Sequence, residues 1–160
     1  MSIFLYVVRH GEAESIQVND ETRVLTEIGK IEAKKTGNWL KSQTNIFDLV
    51  ICSPYVRAQE TKNIILTACE TSDEVTSSSF IPSSIPTTAT DEIFAYAQKI
   101  NKQDQHILCV SHMPLVSYLI GELSGHTPIM ATAAVAKLKL DINKWNGQLE
   151  TIISPEQMEE

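Results

Sequence analysis

The chain has 160 residues, of which 42% are apolar and 21% are charged, and its formal net charge at pH 7 is -7. This length and composition predict one globular domain spanning residues 1–160, and they exclude a disordered or fibrous protein. The acidic excess argues against a nucleic-acid partner, because clustered Lys and Arg are needed to neutralise a phosphate backbone.

The first third of the chain predicts a strand, a helix and a second strand. Residues 3–8 form an almost continuous apolar run, which is typical of a strand covered on both faces in a parallel sheet. A helix is predicted from Thr26, as its N-cap, to about residue 43. Residues 47–52 predict the second buried strand. The inward-facing positions expected in the helix are Ile28, Ile31, Trp39 and Leu40.

The middle of the chain predicts two further helices. Ser53 and Pro54 have the types preferred at an N-cap and a first helical position, so a helix is predicted from there to about residue 68. Residues 71–90 are rich in Ser, Thr and Pro, and they predict a loop with one short strand at 80–81. The next helix is expected to begin at Thr90 and to reach about residue 101.

The last third predicts three strands and one helix. Residues 106–110 are a strand-like run, residues 115–123 are helix-like, and residues 132–140 and 148–153 predict two strands joined by a turn at Asn146. Because strands and helices alternate, the predicted fold is a three-layer α/β/α domain. Its central sheet is mostly parallel, with antiparallel C-terminal strands.

Polar residues that suit an anion follow three of the predicted parallel strands. Arg9, His10 and Gly11 follow the first strand, Arg57 lies in the first turn of the helix after the second, and His112 follows the strand 106–110. Ligands bind beyond the carboxyl ends of such strands. Arginine forks and helix N-termini there match the oxygens of a phosphate dianion. The sequence therefore predicts a phosphate site.

The chain resembles the histidine phosphatase superfamily, whose fold is phosphoglycerate mutase-like, and within it the SixA type of phosphohistidine phosphatase. The resemblance covers nearly the whole chain. It rests on VVRHGEAE, on Arg23-x-Leu25-Thr26-x-x-Gly29, and on NWLKSQ, VICSPYVRAQET, CVSHMPLVSYLIGELSG and ISPEQM.

The resemblance implies a role for each site residue. It implies that His10 is the nucleophile, that Arg9 and Arg57 bind phosphate, that His112 belongs to the phosphate site and that Arg23 lies near it. A nucleophilic histidine needs one unprotonated ring nitrogen, so we expect the other nitrogen to donate to a backbone carbonyl. We expect His112 to act in its charged form.

Gly11 is expected to allow a sharp turn and to keep a Cβ away from the incoming phosphate. Because arginines supply the positive charge, no metal or cofactor is expected. The histidines also lack the spacing of metal ligands.

The leaving group separates the branches of the family. Ester-cleaving relatives place a Glu or Asp after the third strand as general acid, whereas the corresponding stretch here, FIPSSIPTT, has none. Glu12, Asp91 and Glu92 stay open as candidate acids. Ala13 and Ile16 stand where mutases commonly have Ser and Asn, which argues against a mutase.

A chain of this length leaves little for a lid over the site, and an open groove would admit a histidine of another protein. The expected substrate is therefore a phosphohistidine on a phosphotransfer (HPt) domain or phosphocarrier protein. A small-molecule phosphomonoesterase and a non-catalytic phosphate- or phosphohistidine-binding module remain alternatives. We expect no membrane segment, because the first apolar run is too short to span a bilayer. Three cysteines without a C-x-x-C pair are typical of reduced thiols in a cytoplasmic protein, so that location is expected. A monomer is also expected.

Overall fold

The structure is a computed structural model that describes residues 2–16 and 18–159; Met1, Gln17 and Glu160, which belong to the expected domain, lie outside the described residues. Short 3-10 helices lie at Asp20–Thr22, Ser78–Phe80 and Pro155–Gln157. The strands and α-helices are, in chain order, β1 (Ser2–Arg9), α1 (Glu27–Gln43), β2 (Ile46–Phe47), β3 (Leu49–Cys52), α2 (Val56–Ile65), β4 (Glu70–Thr71), β5 (Glu74–Thr76), α3 (Pro86–Ile100), β6 (Asp104–Ser111), α4 (Leu115–Ser124), β7 (Val135–Asp141) and β8 (Asn146–Ile153).

The central sheet has the strand order β5-β3-β6-β1-β7-β8. Strands β5, β3, β6 and β1 are parallel to one another, whereas β7 pairs antiparallel with β1 and β8 pairs antiparallel with β7. In the register of the sheet Arg9 pairs with Ser111 and Cys52 pairs with Val110, so the carboxyl ends of β1, β3 and β6 lie at one edge. This confirms the predicted fold class and brings the three predicted site segments to the same edge.

Helices cover both faces of the sheet because alternate residues of each buried strand point to opposite faces. Along β1, Leu5 and Val7 pack in an apolar cluster with residues of α3 and α4. Tyr6 and Val8 belong to a second cluster, which includes Leu40 of α1 together with residues of α2. The three-layer arrangement is therefore confirmed.

Helix α1 buries small side chains rather than the isoleucines expected to face inward. Thr26 is its N-cap, as predicted, and its hydroxyl accepts a hydrogen bond from Gly29 N at 3.0 Å. Leu40 is buried, as predicted, but Ile28 and Ile31 are 58% and 60% exposed. Apart from Leu40 the buried face consists of small residues, and at Gly37 the reason is the close approach of α2: a Cβ there would lie only 3.1 Å from Ile65 Cα.

Two predicted helix starts differ from the structure. Helix α2 begins at Val56, with Tyr55 as an N-cap that makes no side-chain hydrogen bond, instead of at Ser53 and Pro54. Helix α3 has Pro86 in its first turn and begins four residues before Thr90. Proline is favoured at a helix start because its missing N–H has no intrahelical partner there.

The loop 71–90 and the last turn also differ from prediction. The predicted strand at 80–81 is wrong, because Phe80 closes a 3-10 helix and the added edge strand is β5. In the C-terminal hairpin Asn146 and Gly147 open β8, and Trp145 takes the left-handed conformation, with a φ of 58°. Among the described residues, no helix has the length and apolar character required to cross a membrane.

Candidate active site

The structure brings His10, Arg57 and His112 together at the carboxyl edge of the sheet. His10 follows β1 and its backbone N donates to Ser111 O at 3.0 Å, so it lies beside the end of β6. The ring centroids of His10 and His112 are 5.1 Å apart. Arg57 reaches the same place from the first turn of α2 and is only 4% exposed.

His10 has its two ring nitrogens in different roles. Nδ1 lies 2.7 Å from the carbonyl oxygen of Gly11 and therefore donates its proton to it, because a carbonyl can only accept. Nε2 then carries the lone pair and accepts a hydrogen bond from Arg57 Nε at 3.3 Å. The backbone contact expected from the sequence is thus present, and it fixes the tautomer in which Nε2 carries the lone pair.

Burial keeps the His10 imidazole neutral. The pKa of His10 is lowered to about 4, mainly by desolvation. The hydrogen bond to the Gly11 carbonyl raises this pKa, and the positive charges of Arg57 and Arg9 lower it further. The lone pair of Nε2 is therefore unprotonated at neutral pH. A neutral imidazole beside arginines can act as a nucleophile toward a phosphoryl group that those arginines hold.

Arg57 uses each of its guanidinium nitrogens. Nε donates to His10, Nη1 donates to the backbone oxygen of Asp20 at 2.7 Å, and Nη2 donates to the Asp20 carboxylate at 3.3 Å. The guanidinium also lies over the ring of Tyr55, 5.0 Å from its centroid. These contacts fix the plane of the guanidinium and direct one of its edges to His10.

Arg9 is the last residue of β1 and directly precedes His10 in the chain. Its Nη1 donates to Met130 O at 2.9 Å, and its buried Nε has no hydrogen-bond partner among the described residues. Desolvation lowers the pKa of the Arg9 guanidinium, and the nearby Glu32 carboxylate raises it. Arg9 remains a cation, since an arginine side chain is not deprotonated in a protein.

His112 is bound to Ser53 rather than to a carboxylate. A hydrogen bond of 2.7 Å joins His112 Nε2 to the Ser53 hydroxyl, and Nδ1 is buried without a partner in the described part of the chain. Desolvation, with the added charge effect of His10 and Arg57, lowers the pKa of His112 to about 3. Burial therefore disfavours the charged form of His112, and its action as a cation stays a prediction.

Arg23 lies at the rim of the site. Its Nε donates to Glu14 O at 2.6 Å and its Nη1 donates to Asp20 Oδ1 at 3.0 Å. It makes no direct hydrogen bond to His10 within residues 2–16 and 18–159, but its charge contributes to the lowered pKa of that histidine. Asp20 therefore connects Arg23 to Arg57.

Gly11 is required by a close approach of two backbone segments rather than by a turn. It does not adopt the positive φ that favours glycine, but a Cβ there would lie 2.6 Å from Gly29 O in the first turn of α1. Its N–H donates at 3.0 Å to the hydroxyl of Thr61, which itself donates at 2.8 Å to Arg57 O. Helices α1 and α2 thus hold the loop after His10.

Glu12 is turned toward the start of α1. Its carboxylate accepts a hydrogen bond from the Thr26 hydroxyl at 3.1 Å, and its backbone N donates to Glu32 at 2.9 Å. The Glu32 carboxylate also accepts from Thr132, at 3.0 and 2.9 Å to its two oxygens, and thereby joins α1 to the segment before β7.

The other two candidate acids lie in the second turn of α3. Asp91 accepts from the indole N–H of Trp145 at 3.0 Å, and Trp145 belongs to the hairpin at the opposite end of the sheet from the site. Glu92 accepts from Ser77 at 2.9 Å, and its other oxygen is buried without a partner among the described residues. Neither carboxylate hydrogen-bonds to His10 there.

Sequence reasoning missed three residues that support the site. Ser53 matched a helix N-cap but binds His112, Thr61 lies in the middle of α2 but holds Gly11, and Asp20 lies in a polar loop but bridges two arginines. Of these three, only Thr61 could have been found from the sequence. It lies one helical turn after Arg57 and so shares the face of α2 that carries a predicted site residue.

The donor set of the site suits an anion. The buried Arg57 guanidinium donates to His10, the partly buried Arg9 guanidinium acts on His10 through its charge, and the Ser53 hydroxyl binds the neighbouring His112. These groups offer N–H and O–H donors. No group of three or more His, Cys, Asp or Glu within residues 2–16 and 18–159 is arranged to hold a metal ion. Tetrahedral oxyanions are the ligands that such a cluster of arginines favours.

Comparisons with known proteins find a family model and relatives that match this sequence. Residues 5–78 match the sequence model of the histidine phosphatase superfamily (branch 1). Phosphohistidine phosphatase SixA of Escherichia coli K12 is 33% identical over 154 residues, which cover 94% of this chain and 93% of that protein. The SixA homolog of Haemophilus influenzae is 34% identical over 149 residues, covering 88% and 90%.

A solved structure shows the same architecture. The protein histidine phosphatase SixA complexed with tungstate superposes with a TM-score of 0.87 at 28% identity, over 95% of this chain and 97% of that one.

Proposed function

We propose that the chain, which belongs to the histidine phosphatase superfamily, is a phosphohistidine phosphatase that works through a phospho-His10 intermediate. The observation that carries the proposal is the state of His10. Its ring is buried and neutral, Nδ1 is committed to the Gly11 carbonyl, and Nε2 presents its lone pair beside Arg57. This arrangement is what in-line attack on phosphorus requires.

In the first step Nε2 of His10 attacks the phosphorus atom. The new P–N bond to His10 forms as the P–N bond to the substrate breaks, and the substrate ring, which is already protonated on its other nitrogen, leaves as a neutral imidazole with the electron pair of the broken bond. Arg9 and Arg57 bind the phosphoryl oxygens, whose charge they stabilise. Nδ1 keeps its proton and its bond to Gly11 O, which stabilises the cationic phosphoimidazole as it forms.

In the second step a water molecule attacks the phosphorus of phospho-His10. The P–N bond to His10 breaks, phosphate leaves, and Nε2 regains its lone pair. We infer that His112 changes its state during this cycle: it is neutral without an anion, and a bound dianion would raise its pKa toward the charged form expected from the sequence. Arg23 would complete the cation cluster at the rim.

The leaving group favours a phosphorylated imidazole over an ester. An alkoxide needs a strong general acid. Asp91 is bonded to Trp145 at the opposite end of the sheet, Glu92 accepts from Ser77 and makes no hydrogen bond to His10 among the described residues, and Glu12 supports the start of α1. A protonated imidazole leaves more easily than an alkoxide, and transfer from one histidine to another is nearly balanced in energy. We therefore infer that the substrate is a phosphohistidine on an HPt domain or a phosphocarrier protein.

Other expectations from the sequence remain part of the proposal. We infer that residues 1–160 act as one domain, as a monomer and in the cytoplasm. The buried Cys52, Cys69 and Cys109 are free thiols, which agrees with a reducing compartment. A small-molecule phosphomonoesterase and a binding module without turnover are the alternatives that the assay below separates.

The experiment measures phosphate release from a phosphohistidine protein and from p-nitrophenyl phosphate, each with and without chelator. The wild type is compared with His10→Ala and with His126→Ala, a matched change at an exposed histidine. Chelator-resistant release from the protein substrate that only His10→Ala abolishes supports the proposal. Efficient ester turnover would favour the phosphomonoesterase, and no turnover of either substrate would favour the binding module.

A further inference from the structure

The carboxylate that contacts the buried Arg57 belongs to Asp20, a residue outside the predicted site. We propose that Asp20 is a positioning residue: it holds the far edge of the Arg57 guanidinium, so that the near edge faces Nε2 of His10 and the phosphoryl group attached there. The proposal rests on the proposed function and deepens it, because it assigns the alignment of Arg57 to one residue, through its backbone oxygen and its carboxylate.

The contacts of Arg57 divide its guanidinium into two edges. Nη1 and Nη2 form one edge, and both donate to Asp20, at 2.7 Å to the backbone oxygen and at 3.3 Å to the carboxylate. Nε lies on the other edge and donates to His10 Nε2 at 3.3 Å. Asp20 and His10 are therefore bound on different edges of the same planar group.

The fork geometry of arginine leaves a donor pair for phosphate. The group has five N–H bonds in one plane, and one N–H of Nη2 points along the same edge as Nε. A phosphoryl group on His10 Nε2 can accept from Nε and from that second N–H without displacing Asp20. Two parallel hydrogen bonds of this kind give arginine its geometric specificity for phosphate.

Asp20 is itself held in place. Asn19 caps the 3-10 helix Asp20–Thr22 and its side chain accepts from Glu21 N at 2.9 Å. The second carboxylate oxygen of Asp20 accepts from Arg23 at 3.0 Å. A short capped helix and a second arginine thus fix the carboxylate that orients Arg57.

The charge of Asp20 suits positioning rather than proton donation. Desolvation raises its pKa, but the hydrogen bonds and charges of Arg23 and Arg57 outweigh this effect and lower the pKa below its usual range. The carboxylate is therefore anionic at neutral pH and has no proton to give to a leaving group. It also offsets part of the positive charge of two neighbouring arginines, which lets both lie near the same site.

The test measures the single-turnover rate of phospho-His10 formation from a phosphohistidine protein. Misplacing a binding group by about 1 Å costs about a hundredfold in rate, so we expect Asp20→Ala to slow this step by about tenfold to a hundredfold. Asp20→Asn keeps an oxygen acceptor and should lose less. Glu21→Ala removes an exposed carboxylate from the same 3-10 helix and should leave the rate unchanged.

A second measurement asks whether Asp20 acts through Arg57. If it does, adding Asp20→Ala to Arg57→Ala should change the remaining rate by less than about twofold, because the group that Asp20 orients is already gone. The same loss in both backgrounds would overturn the proposal. A wild-type rate in Asp20→Ala would also overturn it, because Arg57 would then be aligned without Asp20. A faster rate would overturn it too, because Asp20 would then compete with phosphate for Arg57.

Folding and the proposed function are checked separately. The melting temperature of each variant reports whether a lost rate reflects a lost fold. The His10→Ala variant reports the nucleophile: if phosphoenzyme still forms without His10, the proposed function fails. If His10 is required but Asp20 has no effect, only the positioning role fails.

Discussion

Gly29→Ala should damage the active site even though the position lies in a helix. An alanine is usually favoured over glycine inside a helix by about 1 kcal/mol. At this position, however, the added Cβ would lie 2.0 Å from the backbone oxygen of Glu12 and 2.9 Å from its N and C atoms. The methyl group would therefore press on the loop that follows His10.

The size of the effect follows from that distance. Real Cβ contacts essentially never fall below 3.0 Å, so the loop must retreat by about 1 Å from the 2.0 Å position. Because Nδ1 of His10 is bound to the Gly11 carbonyl, this movement would turn the imidazole. We expect about a hundredfold loss in kcat and a loss of about 1 to 3 kcal/mol in the free energy of unfolding.

The assay compares Gly29→Ala with Gly37→Ala, a matched change in the same helix. A Cβ on Gly37 would lie 3.1 Å from Ile65 Cα, at the contact with α2 instead of the site. Gly37→Ala should lower stability by denaturant titration and leave kcat unchanged, whereas Gly29→Ala should lower both. Wild-type kcat in Gly29→Ala, or equal losses of kcat in both variants, would refute the reasoning.

Three further predictions concern the buried polar groups. Ser53→Ala removes the 2.7 Å hydrogen bond to His112 and should lower the free energy of unfolding by about 1 to 3 kcal/mol in denaturant titration. Thr61→Val keeps the shape but leaves Gly11 N without its acceptor, and it should lower kcat more than Thr61→Ser, which keeps the hydroxyl. Because burial lowers the pKa of His10 from 6.5 to about 4, the folded chain resists its protonation. The contribution of neutral His10 to the free energy of unfolding is thus fully present above pH 6.5 and should fall by about 2 kcal/mol between pH 7 and pH 5. Denaturant titrations of the wild type and of His10→Gln at both pH values measure it, and a fall of equal size in the variant would contradict this.

Two neutral histidines lie side by side in a site that contains cationic arginines. His10 and His112 have ring centroids 5.1 Å apart, and the positive field of Arg57 disfavours a proton on either ring. Phosphate binding would reverse part of that field. The same cations that keep the nucleophile unprotonated would then stabilise the transferred phosphoryl group.

The order of elements and the location of the site could be predicted because each depends on local patterns. Residues 3–8 and 106–110 are apolar runs bounded by polar residues, and such runs predict buried strands. Parallel strands that are neighbours have their carboxyl ends at one edge of the sheet. Arg9 is the last residue of β1, and His10 and His112 come directly after β1 and β6, so the sequence predicts these residues near one another.

Errors arose where contacts across the fold outweigh a local preference. Ile28 and Ile31 have the apolar character of core residues but are exposed, because α2 approaches the glycine face of α1. Ser53 has the type of an N-cap, but its hydroxyl binds His112, a residue 59 positions away. Neither partner is visible in the neighbouring sequence.

The sequence by itself determined strands β1, β3, β6, β7 and β8, helices α1 to α4 and the three segments that carry arginine and histidine, because periodicity and strand ends are properties of neighbouring residues. Only the tertiary structure decided the protonation of His10, the bond between His112 and Ser53, and the place of Asp20 behind Arg57. Burial and hydrogen-bond partners set these properties, and both come from segments that are distant in the chain and meet only when the sheet and its helices have assembled.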